Sequence, residues 1–478
     1  MTATNSASGQ RQKPQLILFN VCLGHFMAGL DARVLLVALP TLTSIFQTNL
    51  TTIQWTLLAY NLALIGLVLT FGRIGDLFGH GPIYGGGFLT FTIGSALCGL
   101  AQAPAQLIAF RIIQGIGGAM ITANGRAIVS LIFPEEQRGK ALGITSMAFH
   151  VGFLTGPTLG GFLIDTVGWR WIFYINVPVG LLGTYLAWNR LQEQREAKPK
   201  ASMDITGAFF LLTTSVSLLY AMNQLPHLGV RHPVILAFAG LALLTLFLFV
   251  RTELRAPAPI LSLSLFRNRL FTAANLSLFF ITSTQAAIQF LLPFYLQNIM
   301  GFTPTQMGWI IIANSVVIVM VAPLAGWISD RLGSRLLCAV GATLIVLAQF
   351  FIASLTLDST IPRIIVPLAV SGLGWAIFNA PNQSAILGAV PHDKIGAASG
   401  MIVTTARVGG AMGTALSATL FTYALTMAGL SSVQIESPQS WGSSPEIFFW
   451  VFNRTVHIIN FFTLFAVFFS AVRGGREG

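Results

Sequence analysis

Charge is what this sequence has least of. Only 9% of its 478 residues are Asp, Glu, Lys or Arg, and just 15 of them are acidic. A soluble globular chain carries about 25% charged residues. With 54% of its residues hydrophobic, a chain of this length cannot hide its apolar surface from water. The solvent for most of it is therefore lipid. Cysteine is scarce as well: Cys22, Cys98 and Cys338 lie far apart inside apolar runs. No CxxC or Cys/His ligand spacing is present, which argues against a structural metal or a disulfide framework. No G-x-x-x-x-G-K-[S/T] loop occurs, so the chain is not itself an ATP-driven pump. The seven histidines are scattered, which argues against a membrane-embedded enzyme. The formal net charge of +11 sits in short loops, not in a basic stripe with interleaved aromatics, and nucleic acid is not an expected partner.

Long apolar runs are what the sequence has instead. A spanning helix needs about 20 mostly apolar residues. Runs of that kind begin near Leu16, Ile53, Pro82, Pro104, Gly139, Trp171, Ile205, Pro233, Leu270, Thr305, Leu336, Pro362, Ile395 and Thr455, which predicts fourteen spans. The first run is too long for a signal-peptide core and is read as a retained span. With the N-terminus placed inside, 18 of the 26 Lys and Arg fall in inner segments and only Arg170, Arg231, Arg363 and Arg454 in outer ones. That asymmetry predicts both termini in the cytoplasm.

A repeat runs through the chain. Gly72-Arg-Ile-Gly-Asp-Leu-Phe-Gly79 returns as Gly326-Trp-Ile-Ser-Asp-Arg-Leu-Gly333, an offset of 254. Gly115 and Gly117 return as Gly372 and Gly374, and Gly152 and Gly156 as Gly409 and Gly413, each at an offset of 257. Three matches in order predict two six-span halves related by a parallel repeat, with two spans added between them. Repeats of this kind place a substrate site near the midplane where the halves meet. The boundaries that follow are a tail over 1–15, a six-helix bundle over 16–192, a two-helix linker over 193–269, a second six-helix bundle over 270–473 and a tail over 474–478.

Three segments carry chemistry. At the inner end of span 2, Gly72 and Gly75 permit close helix approach, Gly79 a tight turn, and Asp76 can meet a helix N-terminus or an arginine. Asp330 and Arg331 hold the same place in the second copy. In span 4, Arg111-Ile-Ile-Gln114 precedes Gly115, Gly117 and Gly118; an arginine in lipid needs a partner or a wet cavity. In span 5, Gly152, Gly156 and Gly160 share one face, Gly161 follows, and Pro157 removes a backbone donor. That face is expected to let one half rock against the other.

These residues together resemble the major facilitator superfamily over nearly the whole chain. Leu30-Asp31 with Ala38-Leu39-Pro40, and Trp169-Arg-Trp-Ile-Phe-Tyr-Ile-Asn-Val-Pro178, resemble its fourteen-span drug:proton antiporter branch. The resemblance implies an all-α membrane fold, alternating access and proton-coupled export of amphiphilic drugs. It makes Gly152 to Gly161 the antiporter motif. The implied partners are a small amphiphile, protons and the bilayer around a monomer in the cytoplasmic (inner) membrane, with no cofactor other than the proton as coupling ion. The sequence departs from the pattern at Leu77, His80 and Gly81, where basic residues are usual, which predicts a weaker cytoplasmic latch. It departs again at Arg33, Leu36 and Arg126.

Asp31 is the one acidic residue well inside a span. A buried carboxyl holds its proton more tightly and a neighbouring cation loosens it, so Asp31 is a candidate for proton exchange; a fixed ion pair with Arg111 is the alternative. His150 is a second proton candidate and His25 a weaker one. Arg33, Arg111, Arg126 and Arg407, with Gln114, are candidates to line a substrate cavity. Arg111 and Arg126 are about four turns apart on one helix, which predicts a shared face. Arg407 is the repeat partner of His150, so the two are expected to face each other. Four arginines against one aspartate favour anionic, zwitterionic or neutral amphiphiles over cations. A dedicated exporter of one such metabolite or lipid, and a non-transporting membrane sensor, stand as alternatives to drug export.

Overall fold

The protein is described by a computed structural model, which covers residues 14–48, 50–191, 204–256, 259, 263–302, 304–428 and 445–472. Both tails and most of the loop after residue 191 lie outside the described residues, and so do Arg11, Lys13, Arg195, Lys198, Lys200, Arg473 and Arg476, part of the inner-side charge. Every regular element described is helical.

The helices in chain order are α1 (Pro14–Ile45), α2 (Leu50–Phe78), α3 (His80–Leu100), α4 (Pro104–Ile132), α5 (Glu135–Thr166), α6 (Trp171–Tyr174), α7 (Asn176–Arg190), α8 (Ile205–Leu228), α9 (Pro233–Glu253), α10 (Arg269–Phe294), α11 (Pro304–Leu332), α12 (Ser334–Ala353), α13 (Ile361–Gly388), α14 (Ile395–Met427) and α15 (Pro445–Val472). With α6 and α7 forming one span, fourteen stretches are long and apolar enough to cross a membrane. The last helix begins ten residues before the expected Thr455. Its first turns hold Glu446, Asn453 and Arg454, polar residues that pushed the apolar reading too far along the chain. The end of the bundle at which α1 starts and α2 finishes carries most of the Lys and Arg, and is called the basic end below.

Local chemistry starts and stops the helices where a bilayer requires it. Pro104 and Pro233 occupy the first turns of α4 and α9, where a missing N–H costs nothing. The Asp204 carboxylate accepts from the Gly207 N–H at 2.8 Å and caps α8. Asn268 accepts from Leu270 and Phe271 N–H and caps α10. Glu135 and Glu136 open α5, where the helix dipole favours negative charge. Gly79 and Gly333, equivalent in the repeat, take φ of +95° and +82° between α2 and α3 and between α11 and α12. A side chain is strained in that conformation, which explains why both copies of the motif end on glycine.

The repeat is visible in the packing. In the first half α1 lies along α5, and α4 lies between α2 and α3; in the second, α10 lies along α14 and α13 between α11 and α12. The halves meet where α2 packs on α14 and α5 on α11. The α8–α9 hairpin does not sit between the halves. It leans on the outside of the seam, with α8 touching both α2 and α14, and Trp55 of α2 stacks on Tyr220 of α8.

Lipid gives helices no hydrophobic reason to associate, so close backbone contact has to hold them. Helix α5 does this on two faces. A Cβ on Gly152 would strike the Phe26 carbonyl of α1, one on Gly156 would lie 2.9 Å from the Arg33 Cβ, and one on Gly160 2.9 Å from Val34. That face is therefore the seat of α1 within one half, and not a surface shared between the halves. The surface of α5 that meets the other half lies nearer the basic end: Gly139 touches Gly326, and Gly143 touches Ala322 of α11. Nine residues separate Gly143 from Gly152, two and a half turns, so the two contacts point in opposite directions. The second half repeats the seat, with Gly409 and Gly413 against Phe279 and Ser283 of α10. Gly161 belongs to neither face, since a Cβ there would meet nothing within 4 Å.

A matched pair of substitutions tests this packing. Gly152→Ala should lower the thermal unfolding midpoint in detergent, because its new methyl group meets backbone; overpacking of this kind costs about 1–3 kcal/mol. Gly161→Ala should leave the midpoint unchanged.

Candidate functional site

Five elements of the first half deliver polar groups, side chains and backbone carbonyls, to one buried point. Asp31 comes from α1, Thr56 and Tyr60 from α2, Ser95 from α3, Arg111 and Gln114 from α4, and the Phe173 carbonyl from α6. Asp31 and Arg111 are each 1% exposed and Gln114 not at all. The Arg111 Nη1 donates to both Asp31 oxygens at 2.8 and 3.0 Å and to Gln114 Oε1 at 2.7 Å. Its Nε donates to the Thr56 carbonyl at 3.1 Å, and the guanidinium lies 4.2 Å from the centre of the Tyr60 ring. Gln114 in turn donates to Asp31 at 3.2 Å and to the Ser95 hydroxyl at 3.3 Å, and Ser95 donates to the Phe173 carbonyl at 2.9 Å. A buried charge persists only when it is paired and hydrogen-bonded, and this network does both. In this arrangement Asp31 is ion-paired with Arg111, and neither Arg111 nor Gln114 lines an open cavity.

The other arginines go elsewhere. Arg33 stacks on the Phe153 ring of α5, 4.1 Å from its centre. Arg126 does not share the direction of Arg111: it crosses to the second half, where its Nε donates to Gln383 Oε1 of α13 at 2.8 Å. Arg407 of α14 does not meet His150. It crosses the other way, its Nη1 donating to Asn61 Oδ1 of α2 at 3.2 Å. His150 bonds the Ser146 carbonyl one turn back at 2.9 Å and packs against Phe149 and Phe153. His25 likewise contacts the Val21 carbonyl of its own helix. Ser146 links to the second half through Asn379, whose amide donates to its hydroxyl at 3.3 Å, and Asn379 also accepts from Gln383 at 2.9 Å.

At the basic end the two repeated aspartates form a reciprocal latch. Asp76, at the end of α2, accepts from the Gly396 and Ala397 N–H groups at the start of α14, at 2.7 and 3.0 Å. Asp330, at the end of α11, accepts from the Gly139 and Lys140 N–H groups near the start of α5, at 2.8 and 3.0 Å. Asp76 meets first-turn donors of α14 that have no intrahelical partner, Asp330 meets N–H groups one turn into α5, and each carboxylate lies toward the positive end of the helix it touches. Gly72 abuts the Gly396 backbone as Gly326 abuts Gly139. The close approach brings each aspartate within reach of its partner helix. His80, one of the departures noted in the sequence, approaches Asp76 at 3.5 Å and bonds Asn124 at 2.7 Å. Arg331 takes no part in the latch contacts; it lies over Trp327 of its own helix, 4.0 Å from the ring centre.

Sequence reasoning passed over Tyr60, Asn61, Ser146, Asn379 and Gln383. One signal was available: Gln383 stands 257 residues after Arg126, the offset of the repeat, so the two are equivalent positions and meet near the pseudo-twofold.

The buried pair makes a prediction about stability. Removing one partner of such a pair costs about 3–5 kcal/mol, because the other charge is stranded. Arg111→Met should therefore sharply lower the unfolding midpoint in detergent. Combining it with Asp31→Asn should recover a substantial part of the loss, since no charge is then left buried alone.

Comparison with known proteins fits this arrangement. The profile of the Major Facilitator Superfamily matches residues 21–414. The chain is 33% identical over 412 residues to the riboflavin transporter RibZ of Clostridioides difficile, covering 86% of this chain and 89% of that protein. It is 31% identical over 402 residues to the multidrug resistance protein Stp of Mycobacterium tuberculosis, covering 84% and 74%. It is 29% identical over 414 residues to the tetracenomycin C resistance and export protein of Streptomyces glaucescens, covering 87% and 77%. Among solved structures, the proton:xylose symporter XylE superposes with a TM-score of 0.62 at 15% identity, covering 94% of this chain and 95% of that one. The human organic anion transporter MFSD10 gives the same score and identity. Two latched six-helix halves, a family profile across most of the chain and relatives aligned along most of their own length lead to one assignment: the chain belongs to the Major Facilitator Superfamily and is a membrane transporter.

Proposed function

We propose that this protein is a proton-coupled antiporter that exports amphiphilic small molecules across the cytoplasmic membrane, with both termini on the cytoplasmic side. The observation that carries the reading is the Asp31–Arg111 pair, the one described place where a carboxylate lies deep within a span. Antiport needs a carboxylate that exchanges its charge partner as the helices move, and Asp31 is placed to exchange the Arg111 guanidinium for a proton. The network has the parts for such a switch. Gln114 and the Thr56 carbonyl already bind Arg111 beside Asp31, so the arginine keeps partners when the pair opens. The tetracenomycin C resistance and export protein among the relatives supports the direction of transport, and the multidrug resistance protein fits it.

A narrower reading also has support. The riboflavin transporter is 33% identical to this chain, and the interface arginines suit a defined polar metabolite better than a broad range of cations. Export of one such metabolite uses the same machinery and differs only in the range of substrates.

The test is proton movement in proteoliposomes on addition of candidate substrates, with wild type beside Asp31→Asn. Substrate-dependent proton release that disappears in the variant, with binding retained, is the expected result. Unchanged coupling in the variant would make Asp31 structural. Transport without any proton movement would remove antiport altogether.

A further inference from the structure

The seam between the halves is crossed by two arginines in opposite senses. Arg126, from the first half, reaches Gln383 of the second; Arg407, from the second half, reaches Asn61 of the first. Both acceptors are neutral amides. Among the described residues neither arginine has a carboxylate partner. The two stand on α4 and α14, which pack against each other, and His25, another basic group, lies against Gly125 beside Arg126. Asp31 is the acid within reach of Arg407, but it is already engaged by Arg111, Nη1 to both oxygens. Arg126 and Arg407 are therefore left, among the described residues, without a counter-ion of their own in the interior, where charge without a partner is costly.

Unused donors remain on both arginines for an anion to supply the difference. Arg126 spends its Nε on Gln383 and its Nη1 on the Thr122 carbonyl at 3.3 Å. Arg407 has one described bond, through Nη1. A guanidinium has five N–H donors in a fork that matches a carboxylate, sulfonate or phosphate. Both side chains are only partly buried, so the unused donors are open to a ligand at the seam. The present partners are also replaceable: Asn61 bonds the Leu57 carbonyl through its amide nitrogen, and Gln383 bonds Asn379 through its own. When an incoming anion displaces both amide oxygens, each amide keeps the bond made by its nitrogen.

We propose that Arg126 and Arg407 form an anion clamp with one arm on each half, and that the transported amphiphile carries an acidic group which the clamp takes in place of Gln383 and Asn61. Because each present bond ties one half to the other, capture of the anion exchanges two inter-half bonds for bonds to the substrate. The tie between the halves then runs through the substrate, so binding is coupled to how the halves are held together. The inference deepens the exporter reading and rests on it for the direction of transport, but not for binding.

The test uses a matched pair of probes, dansylglycine and its uncharged carboxamide, titrated by fluorescence into the purified full-length protein in detergent at neutral pH. Dansylglycine should bind roughly tenfold or more tightly than the carboxamide. Arg126→Gln and Arg407→Gln should each bring that ratio close to one, and Arg407→Lys, which keeps the charge, should preserve part of it and show that the fold survives substitution there. Equal binding of the two probes to wild type overturns the clamp, as does a preference that survives both glutamine variants, or a failure of dansylglycine to bind the folded wild type. Because no gradient is present, the result is independent of transport. Vesicles whose protein binds dansylglycine through these arginines but does not move it would count against the exporter reading and leave the clamp standing.

Discussion

A hydrocarbon interior offers no hydrogen bonds, and every polar group in these spans has to find its partner in the protein. The arrangement around Arg111 follows from that constraint. Once an arginine is placed in the middle of α4, its charge needs Asp31 from α1, its remaining donors need Thr56 and Gln114, and Gln114 needs Ser95. Spans far apart in the chain are thereby fixed against one another at a single point. The pair is less a source of net stability than a condition the first half must satisfy, because desolvation offsets much of the attraction between buried charges.

The same constraint acts within the halves and between them. Within each half, glycine faces bring backbones together, as on α5 against α1 and on α14 against α10. Between the halves, glycines do the same at the basic end, Gly139 on Gly326 and Gly72 on Gly396, beside the two aspartates that bond backbone N–H groups of the opposite half. Further in, the described bonds across the seam come from amides and arginines. Polar bonds of this sort can be exchanged for bonds to water or to a ligand, so the inner part of the seam is held by replaceable contacts.

The sequence made the architecture legible because lipid imposes simple rules on length and charge. Runs of about 20 apolar residues placed thirteen of the fourteen spans close to their observed starts, and the repeated Gly-x-x-x-Asp-x-x-Gly segments marked equivalent ends of α2 and α11. The last span was misplaced because its first turns are polar. The site was legible only in part. Asp31 and Arg111 stood out as charges in lipid, and their pairing was one of two outcomes weighed. Arg126 and Arg407 also stood out, but spacing along a helix could not say which neighbour each would face. A rotation of a few tens of degrees decides between the core of one half and the seam.

Composition and repeat by themselves determined that this chain lies in a membrane, that it has two related halves and which polar residues are costly to bury. These properties depend on what each segment can do alone in lipid. Only the tertiary structure decided that the Gly152 face seats α1 rather than the opposite half, that the repeated aspartates each bond backbone N–H groups near the start of a helix of the other half, and that two arginines cross the seam to neutral amides. Those properties depend on how helices are rotated about their axes and which of them are neighbours. That choice is made by the packing of all the spans together, and no single segment encodes it.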